Sequence, residues 1–500
     1  MRYWVKMKKR ILVLNPPTRD GDYINRDQMG GMGQKISFGK TFLTKVLRDL
    51  KSSFIHQPVL QLAYAATILN KENEVVVIDA PNEEVETIEV LRRVKKFSPE
   101  YVVMAVSSSE ILFERDVIAK KIKEICGAKI VAIGDTIENE PRHFKQPIDF
   151  AILGEIEKVI EKVINGDDCE MISGVMYHKE NGEIGRNEKA SFMHSEELDN
   201  LPFPDWSLFP ANNYQYYPLL LEAPAVSMLS SRGCPYKCHY CSYPVNEGEL
   251  LRKRSPKNVV DEMENNIKKF GMKGIVFRDP LFTGDKVNAY RICKIIVERK
   301  LKVVWACETR PELLDPRLLE MMAKAGCRAI NMGVESIHGN ELDSVGRKKI
   351  DLKKVKEVGG WCRKLGIRTT CFFILGLPGS TQKSMSETLE FSRKIDINHS
   401  DYKIATPFPG TKLKEMALAN GWIKKDEDKD LGGYIATMDI GSDFDEEKLG
   451  DICDEAFKNF YYRPSWIRNE LKMGSNLKKA SILLSNLLKV SLMNLKKISN

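Results

Sequence analysis

Ser231-Arg232-Gly233-Cys234-Pro235-Tyr236-Lys237-Cys238-His239-Tyr240-Cys241 sets three cysteines at Cys-x3-Cys-x2-Cys spacing in a chain of 500 residues. Three thiolates can hold three irons of a 4Fe-4S cube, which ordinarily takes four cysteines, and so leave the fourth iron open. A missing ligand points to chemistry rather than stapling, by the logic that separates closed structural zinc sites from open catalytic ones. The alternative is a zinc site or three buried thiols. Zinc would want a fourth Cys or His at matched spacing, and His239 could serve only by distorting a tight turn. The other eight cysteines (126, 169, 293, 307, 327, 362, 371, 453) include no second Cys-x2-Cys pair. That usage suits reduced thiols in a cytosol better than a disulfide framework.

Outward from this motif the chain repeats strand then helix. Apolar strands are expected at residues 225–229, 274–277, 303–306, 329–333, 369–375 and 402–405, with helices at 256–270, 286–300, 316–325, 352–365 and 383–395. Ser255 can cap the first of these helices, and Pro256 suits its first position.

The cysteine spacing, with an aromatic residue just before the last cysteine and a short apolar strand ahead of the first, resembles the radical S-adenosylmethionine (SAM) family. The resemblance implies that the open iron chelates SAM and that the reduced cluster cleaves it to a 5'-deoxyadenosyl radical, which abstracts hydrogen from an unactivated C–H bond. It also implies a partial (β/α) barrel, whose chemistry sits at the carboxyl ends of its strands. By that resemblance Tyr240 touches the adenine side of SAM, Asp279 the methionine amine, and Glu308 or Glu335 the ribose or methionine end. Gly376, in the turn Gly376-Leu377-Pro378-Gly379, either lets backbone approach the cofactor or serves a plain strand-to-helix turn. These carboxylates could instead pair with Arg278, Arg310 or Arg328. Pro280 stands where a second acid often follows Asp279.

The first two hundred residues read as a doubly wound parallel sheet. Strands are expected at 11–14, 74–78, 101–106, 129–133 and 150–153, separated by helices near 59–69, 85–96, 111–126 and 155–165. Asn15-Pro16-Pro17, Ile78-Asp79-Ala80, the serines 107–109 and Gly154-Glu155 resemble the cobalamin-binding domain that precedes the core in one large radical SAM subclass. That resemblance implies cobalamin contacts at Ser107, Ser108, Gly134, Gly154 and Glu155. No Asp-x-His-x-x-Gly supplies a lower cobalt ligand, so cobalamin would be held without a protein imidazole. No Gly-x-Gly-x-x-Gly follows the first strand, which disfavours a nicotinamide cofactor.

Four regions are expected: a cobalamin-binding-like domain at 8–168, a hairpin and linker at 169–222, a radical SAM barrel at 223–412, and a C-terminal helical region at 413–500. The formal charge of +8 is concentrated in residues 461–500, which carry eight Lys or Arg and one acid. Leu483, Leu484, Leu487, Leu488 and Leu495 recur there at helical spacing. That tail reads as a helix docked on the protein body or as a basic amphipathic helix at a membrane surface. A nucleic-acid footprint would need broader basic coverage. No signal peptide or membrane-spanning stretch is visible, and the expected location is the cytoplasm, either free or peripheral to the inner face of the membrane.

The expected activity is cobalamin-dependent methyl transfer to an unactivated carbon. The alternatives are radical rearrangement, cyclisation or C–C coupling of a lipid or tetrapyrrole-like substrate, and a non-catalytic cluster carrier. A small-molecule or lipid substrate and an external electron donor such as flavodoxin or ferredoxin complete the expectation.

Overall fold

The computed structural model describes residues 8–19, 23–26, 34–36, 55–217, 219–423, 431, 433, 436–441 and 443–472. The chain falls into two units, one comprising residues up to 35 together with 57–213, the other 36–56 together with 214 onward.

In the first unit β1 (Arg10–Asn15), β2 (Glu74–Asp79), β3 (Tyr101–Ala105), β4 (Lys129–Ile133), β5 (Phe150–Ile152), β6 (Val175–His178) and β7 (Ile184–Arg186) form one sheet in the order β7-β6-β5-β4-β3-β1-β2. The pairs from β2 across to β5 are parallel. Near-continuous burial along β1 and β3 is what a sheet covered on both faces requires. The helix α1 (Leu60–Leu69) is buried at eight of its ten positions, whereas α2 (Thr87–Phe97) buries only Val90 and Val94. Strand order reverses between β1 and β3, the switch point at which such sheets bind ligands. The hairpin that the sequence places with the linker instead pairs antiparallel with β5 and extends the sheet.

In the second unit β8 (Ala225–Met228), β9 (Gly274–Phe277), β10 (Val304–Thr309), β11 (Cys327–Glu335), β12 (Arg368–Leu375) and β13 (His399–Ile404) run parallel in sequential order. The intervening helices are α3 (Pro256–Phe270), α4 (Lys286–Glu298), α5 (Pro316–Lys324), α6 (Leu352–Lys364) and α7 (Gln382–Lys394). Each begins on a side-chain cap, from Ser255, Asp285, Asp315, Asp351 and Thr381 respectively, which satisfies amides that the first turn leaves without partners. Tyr216, Leu219 and Leu220 pack against Val276, Ala306 and Ala329 on one face of the sheet. On the other face Tyr402 lies edge-on to Phe457 of α8 (Glu446–Tyr461), 5.2 Å between centroids.

No described helix is long and apolar enough to cross a membrane. The leucines of the basic tail lie outside the described residues.

Candidate functional site

The loop carrying the three cysteines leaves β8 through Ser231–Arg232, which pair antiparallel with Arg252–Lys253. Gly233 follows at φ +82°, where an added Cβ would sit 2.3 Å from the Leu250 carbonyl oxygen. Cys234 N–H donates to Gly248 O (3.0 Å) and Cys241 N–H to Cys238 O (3.0 Å). Further along, His239 N–H donates to Val345 O and His239 O accepts from Leu413 N–H, both at 2.8 Å.

Burial pushes the Cys234 and Cys241 thiols up, and the neighbouring Cys238 pushes both further. Cys238 thus acts on both of its neighbours in the motif. Such a set needs cationic charge to become thiolate, which is what an iron cluster supplies. The donor set therefore fits a cluster. Among the described residues no three His, Cys, Asp or Glu side chains converge on one ion. A cube asks for something else, since each thiolate holds its own iron. Arg310 lies over the Tyr236 ring, 3.7 Å from its centroid, and its Nη2 reaches Cys238 Sγ at 3.6 Å.

Glu335 closes β11 at φ +68°, a conformation uncommon for a side chain of this size, beside a register shift against β12. Burial pushes its carboxyl up, while Arg347 (4.0 Å) and the Tyr240 hydroxyl oppose that shift. Tyr240, Glu335 and Arg347 thus meet at the carboxyl ends of the strands. Sequence reasoning missed Arg347, which reads there as one of a basic run with Lys348 and Lys349.

Three of the expected SAM contacts have neighbours within the protein. Asp279 is fully buried. It accepts from Ser230 N–H (2.8 Å), Ser230 Oγ–H (2.6 Å) and Ser231 Oγ–H (2.6 Å), so it fastens the entry to the cysteine loop. Gly376 sits at φ +73°, a conformation side chains rarely adopt, and the end of the Leu449 side chain of α8 lies 2.7 Å from where a Cβ would be. Glu308 pairs with Arg278 at 3.1 Å.

Half-buried Glu247 accepts from Gly233 N–H (3.0 Å), and burial pushes its carboxyl from the ordinary 4.5 up to about 7. A carboxyl raised on folding contributes stability that is present below about 4.5 and lost as pH climbs through about 7. Glu247→Gln is expected to flatten that slope by about 2 kcal/mol, discounted for partial exposure. Denaturant midpoints taken from pH 4.5 to 8 would reveal it, and an unchanged slope would exclude Glu247 as its source.

In the first unit Ser107, Ser108, Gly134, Gly154 and Glu155 all follow the carboxyl ends of β3, β4 and β5. Ser107 donates N–H and Oγ–H to Glu114, Ser108 shares a hydrogen bond with Thr136, Gly154 N–H donates to Glu138, and Glu155 accepts from Met193 N–H. Gly134, at φ +131°, lies so near the Val106 carbonyl oxygen that an added Cβ would meet it at 2.5 Å. These groups are held by Glu114, Thr136, Glu138 and Met193 respectively, apart from Gly134. Ser109 Oγ is buried there without a partner among the described residues, an acceptor and donor left for a ligand. At the switch point itself Arg26 bonds Glu114 and Asn15, and Asn15 bonds Asp79. Glu114 opens a π-helical stretch, Glu114–Ala119, of the kind often found at functional sites.

Residues 228–392 match the model of the radical SAM superfamily. An uncharacterized methyltransferase of Pyrococcus horikoshii is 28% identical over 415 residues, covering 81% of this chain and 88% of that one. The anaerobic magnesium-protoporphyrin IX monomethyl ester cyclase of Rubrivivax gelatinosus is 26% identical, over 71% of this chain and 65% of the cyclase. Among solved structures, the cobalamin-dependent SAM radical enzyme OxsB superposes with a TM-score of 0.69 at 15% identity, over 99% of this chain and 72% of OxsB. The radical SAM methyltransferase TsrM of Kitasatospora setae does so at 0.63 and 18%, over 84% and 76%. At those identities the likeness is one of fold.

Proposed function

Residues 228–392 form a radical SAM domain, and from that premise we propose that this enzyme transfers a methyl group to an unactivated carbon with the help of cobalamin. The observation that carries the reading is the meeting of three thiols with Tyr240, Glu335 and Arg347 at the carboxyl ends of parallel strands. Cys234, Cys238 and Cys241 would hold the cluster, and Arg310 with Tyr236 would cover Cys238. Tyr240, Glu335 and Arg347 would orient SAM. The serines 107–109 with Gly134, Gly154 and Glu155 would cradle cobalamin on the first unit. When bound, the cluster and SAM supply radical hydrogen abstraction and cobalamin carries the methyl group. Similarity to the cyclase favours a second reading, radical rearrangement, cyclisation or C–C coupling without methyl transfer. Either reading needs a one-electron donor such as flavodoxin or ferredoxin. Contact of the basic tail with a membrane is a separate proposal, which flotation with liposomes tests.

Protein made anaerobically in cells supplied with cobalamin should carry one cluster and near-stoichiometric cobalt. With reductant and SAM it should release both S-adenosylhomocysteine and 5'-deoxyadenosine. 5'-Deoxyadenosine alone would select the second reading, and neither product would overturn both. Cys238→Ala should reduce iron to background and 5'-deoxyadenosine about 1,000-fold, a loss of roughly 4 kcal/mol.

A further inference from the structure

One face of the second unit's sheet changes character along its strands. Val276, Ala306 and Ala329 pack on Tyr216 and Leu220. Two residues further along the same strands, on the same face, come Arg278, Glu308 and Asn331. Asn331 Nδ2 donates to the Tyr216 hydroxyl at 2.9 Å. Register carries this face across the sheet, with Asn331 opposite Thr370, Phe372 opposite Asp401 and Ile374 opposite Lys403.

Two ion pairs stand there, Arg278 with Glu308 at 3.1 Å and Lys403 with Asp401 at 3.3 Å. Burial pushes the Tyr216 phenol up, and Glu308, Arg278 and Asp401 all act on it. Asn331 Oδ1 and Thr370 Oγ1 are buried without partners among the described residues, although both residues are more than nine-tenths buried. Orphaned polar atoms in the interior cost about 1–3 kcal/mol each. A barrel needing only to be packed fills its lumen with branched apolar side chains. Here this face of the sheet holds paired charges and unspent hydrogen-bonding groups instead.

We propose that this face of the sheet is the substrate site and that it takes a small zwitterionic, amino-acid-like molecule; the inference rests on the radical-enzyme reading above. The charges named here cancel, so a ligand of net charge would bury an uncompensated ion. An apolar ligand would strand Asn331 and Thr370. A molecule with a cationic and an anionic group meets charges of both signs on this face and leaves none uncompensated. Asn331 and Thr370 then bond to its uncharged polar groups.

The test uses the reconstituted holoenzyme with SAM, dialysed anaerobically against a small-molecule extract of the source cells. Ion exchange first divides that extract into zwitterionic, anionic, cationic and apolar pools. Mass spectrometry of the retained molecules should find a component of the zwitterionic pool held at least tenfold better by the native enzyme than by the double variant Asp401→Leu/Lys403→Met. That variant removes both charges together, and near-UV circular dichroism checks its fold. A second variant, Thr370→Val, should weaken the same retention without altering charge. Retention from the apolar or a net-charged pool, no retention from the zwitterionic pool, or equal retention by the variants would overturn the inference. Release of 5'-deoxyadenosine without any pool separates the two readings. Its absence sinks the radical chemistry, and its presence beside a failed retention test sinks the substrate class alone.

Discussion

Asp279→Ala should loosen the entry to the cysteine loop by about 3 kcal/mol, seen as roughly hundredfold faster amide exchange at Ser230. Three donors converge on this carboxylate, and the Ser230 amide among them cannot turn elsewhere as a hydroxyl can. Its loss leaves a buried N–H without an acceptor four residues ahead of Cys234, so iron content should fall with it. Asp279→Asn keeps an oxygen for the amide and offers an NH2 that both serine hydroxyls can accept, at a cost of about 1 kcal/mol. A residue that bound the methionine amine would behave differently. The Asn variant would then lose SAM affinity while exchange at Ser230 stayed slow, and that result would restore the role that family resemblance gives Asp279.

Asp279 also marks where sequence stopped informing. The strand positions, the Ser255 cap with Pro256 at the first helical position, and the doubly wound order of the first unit were legible, because periodicity and capping are local. The convergence of Asp279 on Ser230 and Ser231 spans 49 and 48 residues and depends on β8 pairing with β9. Gly376 read equally as a place for close approach of a ligand or as a plain strand-to-helix turn, and its neighbour Leu449 sits on a helix whose docking no local pattern specifies. The hairpin at Val175–Arg186 was visible as a hairpin, and its addition to β5 was not, since the turn chemistry of Asn181-Gly182 fixes a pair of strands without fixing their neighbour. The polar face left a faint trace. Asp401 and Lys403 alternate with Tyr402 in a strand, the period-two pattern of a charged face, yet strand alternation alone does not tell a solvent face from a buried one.

Gly346→Ala should cost the enzyme most of its cluster, with iron per chain down about tenfold, although residue 346 is more than a hundred positions from the cysteines. Gly346 sits at φ +65°, and an added Cβ would lie 2.7 Å from His239 Nε2 and 2.9 Å from the Lys237 carbonyl oxygen. The imidazole can rotate away, but the carbonyl belongs to the loop between Cys234 and Cys238. That loop has little room to yield, because His239 N–H is bonded to Val345 O and His239 O to Leu413 N–H on either side of the contact. Gly366→Ala supplies the control. It has a similar φ, +70°, with nothing within 4 Å of an added Cβ, so it carries the left-handed backbone cost of about 1 kcal/mol without the clash. Iron analysis and low-temperature EPR of the reduced proteins should therefore separate two glycines of nearly the same conformation. Gly366→Ala should keep its cluster signal and Gly346→Ala should lose it, with far-UV circular dichroism alike in both. Equal iron in the two variants would mean that the cysteine loop adapts, and that the contact with residue 346 does not set its geometry.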